Sequence, residues 1–291
     1  MKRIVVLGAA ESGVGAAILA QKEGFDVFVS DMSAIKDHYK AMLDSHGIEW
    51  EEGHHSEDKI LNADEVIKSP GIPKEAPMIQ KVMARNIPVI SEIEFAGRYT
   101  DARMICITGS NGKTTTTSLI YHIMEKAGYD VGLAGNIGHS LALQVAETPH
   151  AWYVIELSSF QLDNMYEFHA DIAVLLNITP DHLDRYEFKF ENYADAKMRI
   201  TQNQVKADAF IYWNDDPVIQ HELTKTAVGA TLYPFGLEKN DALKGYIADG
   251  EYVLTAPTRL EMKQEELSLT GKHNMYNSLA AGLATHLAGV A

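Results

Sequence analysis

A lysine followed by threonines stands directly behind a short glycine-bearing turn, in Gly109-Ser110-Asn111-Gly112-Lys113-Thr114-Thr115. The apolar run Ile105-Cys106-Ile107 leads into it, and an amphipathic pattern follows it. Residues of these types in this order can wrap a polyphosphate. Glycines let main-chain N–H groups turn inward, a helix N-terminus adds positive potential, and Lys113 brings a mobile cation. The hydroxyl of Thr114 occupies the position that meets Mg²⁺ in phosphate loops. The full loop pattern asks for a glycine five residues before Gly112, where Ile107 stands, so this is a shortened loop. The bland alternative is a Gly-Lys turn with no ligand.

A second glycine loop, Gly8-Ala9-Ala10-Glu11-Ser12-Gly13-Val14-Gly15, follows the β-branched run Ile4 to Leu7. Ala10 replaces the middle glycine of the dinucleotide fingerprint, and Asp31 stands where an acid would meet a ribose hydroxyl. Three readings fit: a nicotinamide dinucleotide, a tight turn with glycines for packing, or another nucleotide bound through its diphosphate. Two such loops in one chain argue for two phosphate-bearing substrates.

Other candidates fall at expected strand ends. Glu156 closes Val154-Ile155-Glu156; beside a phosphate loop it could share a Mg²⁺ with Thr114, or simply favour a helix N-terminus. Asp181 and His182 follow the next strand; Asp181 could equally cap a turn, and His182 could be an exposed loop residue. Lys197 reads by spacing as a helix-surface lysine without a role. Asn274 and Asn277 share a helix face, either as caps or as contacts to a nucleotide base. The remaining histidines, His54 and His55 included, lack zinc spacing.

These groups need a scaffold, and the pattern around them is α/β. A chain of 291 residues suggests two domains. The first hundred residues alternate strand signals (Ile4 to Leu7, Asp26 to Ser30, Val66-Ile67, Val89-Ile90) with helices at Gly13 to Glu23 and about Met78 to Arg85, which is a small Rossmann-like parallel unit. A second α/β unit, resembling a P-loop ATPase domain, spans 101–291. Its strands are expected at Met104 to Thr108, Trp152 to Glu156, Ile172 to Ile178 and Ala209 to Trp213. Its helices are expected at Thr114 to Lys126, Tyr193 to Gln204 and Asn274 to Leu287, with an antiparallel edge between Thr231 and Leu269. The formal charge of −15 argues against nonspecific binding to nucleic acid or anionic membranes. No run reaches a membrane span's ~20 apolar residues. The single cysteine, Cys106, reads as a buried free thiol, which suits a reducing cytoplasm. The last helix runs apolar to Ala291, as a docked terminal helix or a chain cut at a domain junction would.

Taken together, the run Gly109 to Thr115, Gly135-Asn136-Ile137-Gly138, Glu156-Leu157-Ser158-Ser159-Phe160-Gln161, Asp181 to Arg185 and Gly271 to Asn274 resemble the Mur ligases. The Glu156 to Gln161 run and Ser69-Pro70-Gly71-Ile72 most resemble the branch that adds D-glutamate. The resemblance implies an ATP-dependent acid–amino-acid ligase, monomeric and cytoplasmic, acting on UDP-N-acetylmuramoyl-L-alanine, ATP and D-glutamate through an acyl phosphate. It assigns Glu11, Ser12, Gly13, Asp31, Met32 and Gly71 to the uridine diphosphate, and Asn136, Ser158, Gln161 and His182 to the muramoyl portion. Residues 109–115 with Asn274 and Asn277 go to ATP, and Thr114, Glu156, His182 and, once carbamylated, Lys197 to Mg²⁺. Lys113, His182 and Lys197 become the catalytic set, with Lys197 at the family's carbamylated position; a lysine in a low-dielectric site loses its proton more easily and can add CO₂. Where the family often has a basic residue two positions after the acid, Ser33 stands here. The family's third, C-terminal domain has no counterpart in the chain, so a two-domain piece unable to turn over alone is the expectation. Three other readings stand beside this one: a non-catalytic nucleotide-sugar module, an NAD-dependent oxidoreductase, and a relative that adds a different amino acid.

Overall fold

The computed structural model describes residues 1–267 and 271–290. Along the first hundred residues come β1 (Arg3–Leu7), α1 (Glu11–Lys22), β2 (Asp26–Asp31), α2 (Asp37–Ser45), β3 (Glu49–Glu52), α3 (Glu57–Ile60), β4 (Glu65–Lys68), α4 (Pro77–Ala84), β5 (Val89–Ile90) and α5 (Glu92–Gly97). Next are β6 (Arg103–Thr108), α6 (Lys113–Lys126), β7 (Val131–Gly135), α7 (Leu141–Glu147), β8 (Trp152–Glu156), α8 (Ser159–Leu162) and β9 (Ile172–Leu175). The rest comprises α9 (Phe190–Met198), β10 (Ala209–Trp213), α10 (Pro217–Lys225), β11 (Thr231–Glu238), β12 (Gly245–Ala248), β13 (Glu251–Leu254), β14 (Leu260–Lys263) and α11 (Lys272–Leu287). No helix among the described residues is long and apolar enough to cross a membrane.

The chain forms two compact α/β units. The first gathers residues 1–101, 138–150 and 163–168; the second holds 102–137, 151–162 and 169–291. In the first, five parallel strands run in the order β3-β2-β1-β4-β5. Strands buried on both faces need near-continuous apolar sequence, which Ile4 to Leu7 supplies. Val5, Leu7, Phe28 and Val66 pack with Ile60, Met78, Ile79 and Val82 of α3 and α4 on one face. On the other, α1 lies against β1, β2 and β4, with α5 and α7 packed on α1. Strand order reverses beside β1, so the carboxyl ends of β1 and β4 flank a topological switch point.

Among the described residues, the second unit has nine strands in the order β14-β13-β12-β11-β10-β9-β6-β8-β7. The helices α6 and α11 cover one face, where Ile120 and Met124 meet Leu279, Leu283 and the strand residues Ile105, Ile107, Val174 and Ile211. Here the switch point lies at β6, between β8 and β9, and the loops after all three strands open on one edge.

Several expected elements differ. The edge after Thr231 is antiparallel only at β12-β13-β14; β11 pairs in parallel with β10 and with β12. The end of that stretch, 268–270, lies outside the described residues, as does Ala291. The strand expected over Ile172 to Ile178, β9, stops at Leu175, because Asn177 and Thr179 turn to the phosphate loop instead of continuing the ladder, and β7 is a strand the sequence pattern did not announce. The helix expected over Tyr193 to Gln204 begins at Phe190 and tightens into a 3₁₀ turn at Arg199–Thr201.

Candidate functional site

In the second unit, three loop sets converge on the turn between β6 and α6. Gly112 sits at φ 85°, and a Cβ there would come 2.4 Å from Asn277 Oδ1, so bare backbone is required on both counts. The turn is pinned from below. Asn111 N–H donates to Asn177 Oδ1 at 2.9 Å, and Asn177 Nδ2 returns a bond to the Asn111 carbonyl. The Ser110 hydroxyl donates to the Thr179 carbonyl and accepts from Thr179 N–H, both at 2.9 Å, and lies 3.1 Å from the Tyr193 hydroxyl. Gly112 offers α6 no side-chain cap, which leaves the first N–H groups of the helix for an external acceptor.

Two cations share one carbonyl. Lys113 Nζ donates to Gly109 O at 2.8 Å and to Ser110 O at 3.2 Å, and Lys197 Nζ donates to Gly109 O at 2.9 Å. Burial pulls the Lys113 ammonium below the ordinary lysine range, partly countered by the carboxylates of Glu156 and Asp181. Lys197 is not the helix-surface lysine its spacing suggests: it is 1% exposed, over the Tyr193 ring.

Glu156 is 1% exposed at the end of β8. Its Oε2 accepts from the Thr114 hydroxyl and its Oε1 from Asn136 Nδ2, both at 2.8 Å. The carboxylate and hydroxyl expected to share a cation thus touch. Two hard oxygen donors beside a phosphate loop suit Mg²⁺, which takes few protein ligands and keeps phosphate and water. His182 stands apart from this pair in its contacts. It adopts φ 49°, bonds its own N–H to Asp181 Oδ1, and lies against Phe160 with ring centroids 5.3 Å apart. Among the described residues no three His, Cys, Asp or Glu side chains group to hold a metal. Ser158 and Gln161 bond each other: Gln161 Oε1 accepts from the Ser158 hydroxyl at 2.8 Å. Thr115 is the third residue of α6, half-buried. Asn277 Nδ2 lies 3.4 Å from Asn274 Oδ1, so these two share a face as their spacing requires.

In the first unit, Gly8 has φ 95° and no room for a Cβ, which would sit 2.4 Å from Ser69 Oγ. Asp31 closes β2; its carboxylate accepts from Ala9 N–H at 2.7 Å and from Ser33 N–H at 2.8 Å, tying the glycine loop to the end of the second strand. Glu11, Ser12 and Gly13 form the first turn of α1, whose N-cap, Ala10, supplies no side-chain acceptor. Met32 is exposed beyond Asp31, and Gly71 sits in the turn after β4. Cys106 is a buried free thiol whose pKa burial drives well up.

Spacing gives no role to Asn177 or Tyr193, whose contacts hold the turn. Asn177 was visible as the first polar residue after an apolar strand; its reciprocal bond to Asn111 depends on strand order and has no local signature.

Against known families, the chain matches the Mur ligase middle domain over residues 107–285 and the MurD N-terminal domain over residues 3–78. It is 68% identical over 290 residues to the UDP-N-acetylmuramoylalanine–D-glutamate ligase of Bacteroides fragilis, covering 100% of this chain and 65% of that protein. It is 57% identical to the Porphyromonas gingivalis protein of the same name, covering 97% and 63%. The chain therefore spans about 65% of the length of the curated relatives it matches. Among solved structures, it is similar in fold to the UDP-N-acetylmuramate:L-alanyl-gamma-D-glutamyl-meso-diaminopimelate ligase from Neisseria meningitides, with a TM-score of 0.68 at 20% identity, over 100% of this chain and 94% of that one. A UDP-N-acetylmuramate–alanine ligase from Thermotoga maritima gives 0.56 at 22% identity, over 99% and 65%.

Proposed function

The chain belongs to the Mur ligase family, and from that premise we propose that it carries the nucleotide-binding machinery of an ATP-dependent ligase joining D-glutamate to UDP-N-acetylmuramoyl-L-alanine in peptidoglycan precursor synthesis. Relatives at 57–68% identity bear the name of D-glutamate ligases, which supports the choice of amino acid. The observation that carries the nucleotide chemistry is the contact of Thr114 with Glu156 beside the Lys113 loop.

On this reading residues 1–100 bind the uridine diphosphate of the UDP-sugar, and residues 101–291 bind ATP and the muramoyl portion. The loop 109–115 holds the phosphates, with N–H groups of α6 and the Lys113 ammonium facing the γ-phosphate; Asn274 and Asn277 take the adenine side. The L-alanyl carboxylate attacks the γ-phosphorus, ADP leaves, and the acyl phosphate forms. The D-glutamate amine then adds to the acyl carbon, and the tetrahedral intermediate collapses with loss of inorganic phosphate and a proton. Lys113 offsets charge on the transferring oxygens, so positioning and electrostatics supply the rate. Thr114 and Glu156, with His182 at a second position, would hold Mg²⁺, which supplies charge neutralisation on the phosphates. Asn136, Ser158, Gln161 and His182 serve the muramoyl portion. Lys197 holds Gly109 and is the site for a carbamate, which ¹³CO₂ labelling would reveal. The protein works as a cytoplasmic monomer.

Thermal melts with each ligand alone test the reading. UDP-N-acetylmuramoyl-L-alanine and Mg²⁺-ATP should each raise the melting temperature by roughly 5 °C at a hundredfold excess over Kd. NADH should leave it unchanged. Stabilisation by NADH alone would refute the proposal in favour of an oxidoreductase.

A further inference from the structure

The six residues assigned to the uridine diphosphate, Glu11, Ser12, Gly13, Asp31, Met32 and Gly71, include two carboxylates and no cation, in a chain of net charge −15. A helix N-terminus offsets only about half an elementary charge. A cation elsewhere in the unit would offset the remainder of a diphosphate's charge.

Lys68 is placed to provide it. It is the last residue of β4 and stands in register with Leu7 of β1, the residue before Gly8, so it lies on the switch point where open parallel sheets take their ligands. It shares a sheet face with Val66, two residues earlier, above the core formed with α3 and α4, and is 4% exposed. Its ammonium donates to Ile72 O at 2.7 Å and to Ser69 O at 3.3 Å, across the turn that carries Gly71. That turn presses on the glycine loop: Ser69 N–H donates to Leu7 O at 2.9 Å. The Ser69 hydroxyl is buried against Gly8 without a hydrogen-bond partner among the described residues. Other lysines nearby are less suited. Lys40 is paired with Glu52 at 2.8 Å, and Lys74 is 60% exposed, where solvent and salt screen it.

We propose that Lys68 is the buried cation that compensates the diphosphate of the nucleotide in the first unit, and the positioning residue for the turn 69–72. The inference rests on the uridine-diphosphate reading above and adds to it a residue outside the assigned set. From a low-dielectric position its charge acts on an anion at the switch point more strongly than a surface lysine would.

Titrations of the full chain with UDP and with uridine separate charge from shape. In K68M, UDP should bind at least about tenfold more weakly while uridine changes by less than about twofold, because only UDP carries the charge Lys68 meets. The dependence of UDP affinity on salt should flatten in K68M, and K68R should retain most of the wild-type preference. Equal weakening of both ligands in K68M would reduce Lys68 to a structural tie and overturn the proposal. So would unchanged UDP binding, which leaves the nucleotide reading standing. If K68M does not fold, NMR of the Lys68 side chain in the wild-type protein decides: UDP should shift its signals and uridine should not, and identical responses overturn the role. A wild-type protein that binds neither UDP nor the UDP-sugar sinks the nucleotide reading, and Lys68's role with it.

Discussion

Both carboxylate oxygens of Glu156 are engaged, one by Thr114 and one by Asn136, in a position that is 1% exposed. A buried carboxylate needs such donors, and Asn136 is oriented by it. Gln in its place keeps the shape and can still accept from Asn136 while donating to the Thr114 hydroxyl. E156Q should therefore remain folded and lose the charge alone. Its affinity for Mg²⁺-ATP should fall by roughly tenfold or more, while its affinity for ATP without metal changes little, as read by calorimetry with and without Mg²⁺. Unchanged Mg²⁺-ATP affinity would remove Glu156 from the metal site. At this scale the sequence was partly readable. The pairing of Thr114 with Glu156 is readable because Glu156 closes a strand on the sheet edge where the phosphate loop opens the helix that carries Thr114. The burial of Lys197 follows only from the family resemblance, since nothing in the spacing of Ala194-Asp195-Ala196-Lys197 distinguishes an inward lysine from a solvated one until the neighbours of α9 are known.

Elements with strong periodicity or β-branched runs were legible, and those carried by tertiary contacts were not. The strand β3 is Glu49-Trp50-Glu51-Glu52, in which Trp50 alone favours a strand. It persists at the sheet edge because Glu51 accepts from the Ser30 hydroxyl at 2.6 Å and from Ser56 N–H at 2.8 Å, which hold its carboxyl below the usual range against the opposing effect of burial. The short helices α5 and α7 open on serine caps, Ser91 and Ser140, but are too short for an apolar period to announce them, and they lock together through one carboxyl. Glu92 of α5 is 4% exposed, and its Oε1 accepts from the Ser140 hydroxyl at 2.8 Å and from Ala142 N–H at 2.6 Å, at the start of α7. Burial outweighs these bonds and raises its pKa from 4.5 to about 7, with Glu11 adding to the rise. The folded state therefore holds a proton that the unfolded chain has released between pH 4.5 and about 7. Stability from this group is full below pH 4.5 and falls as pH rises through that window, by up to about 3 kcal/mol. E92Q mimics the protonated form. Urea denaturation should show wild type and E92Q alike near pH 4.5 and E92Q the more stable at pH 8; a difference independent of pH would contradict the assignment.

Over the whole molecule, the alternation of strand and helix patterns was enough to anticipate two α/β units, because parallel strands buried on both faces announce themselves as apolar runs. The chain path was harder to foresee. The segments 138–150 and 163–168 come after β6 in sequence yet pack with the first unit, α7 against α1. Such long-range docking leaves no local pattern, because an apolar face reads the same whichever unit it covers. The two units give a way to test the division of labour without separating them. Hydrogen exchange reports opening segment by segment, and a ligand protects the amides it holds. UDP should slow exchange in the loops after β1, β2 and β4, at residues 8–15, 31–33 and 69–72. Mg²⁺-ATP should slow it at 109–117 and at the start of α11. Trp50, in β3 of the first unit, and Trp152 and Trp213, in the second, offer an independent fluorescence check, since each nucleotide should perturb the tryptophans of its own unit. Protection of the same segments by both nucleotides would mean that the two glycine loops do not serve separate substrates, and the assignment of the uridine nucleotide to β1, β2 and β4 would have to be given up.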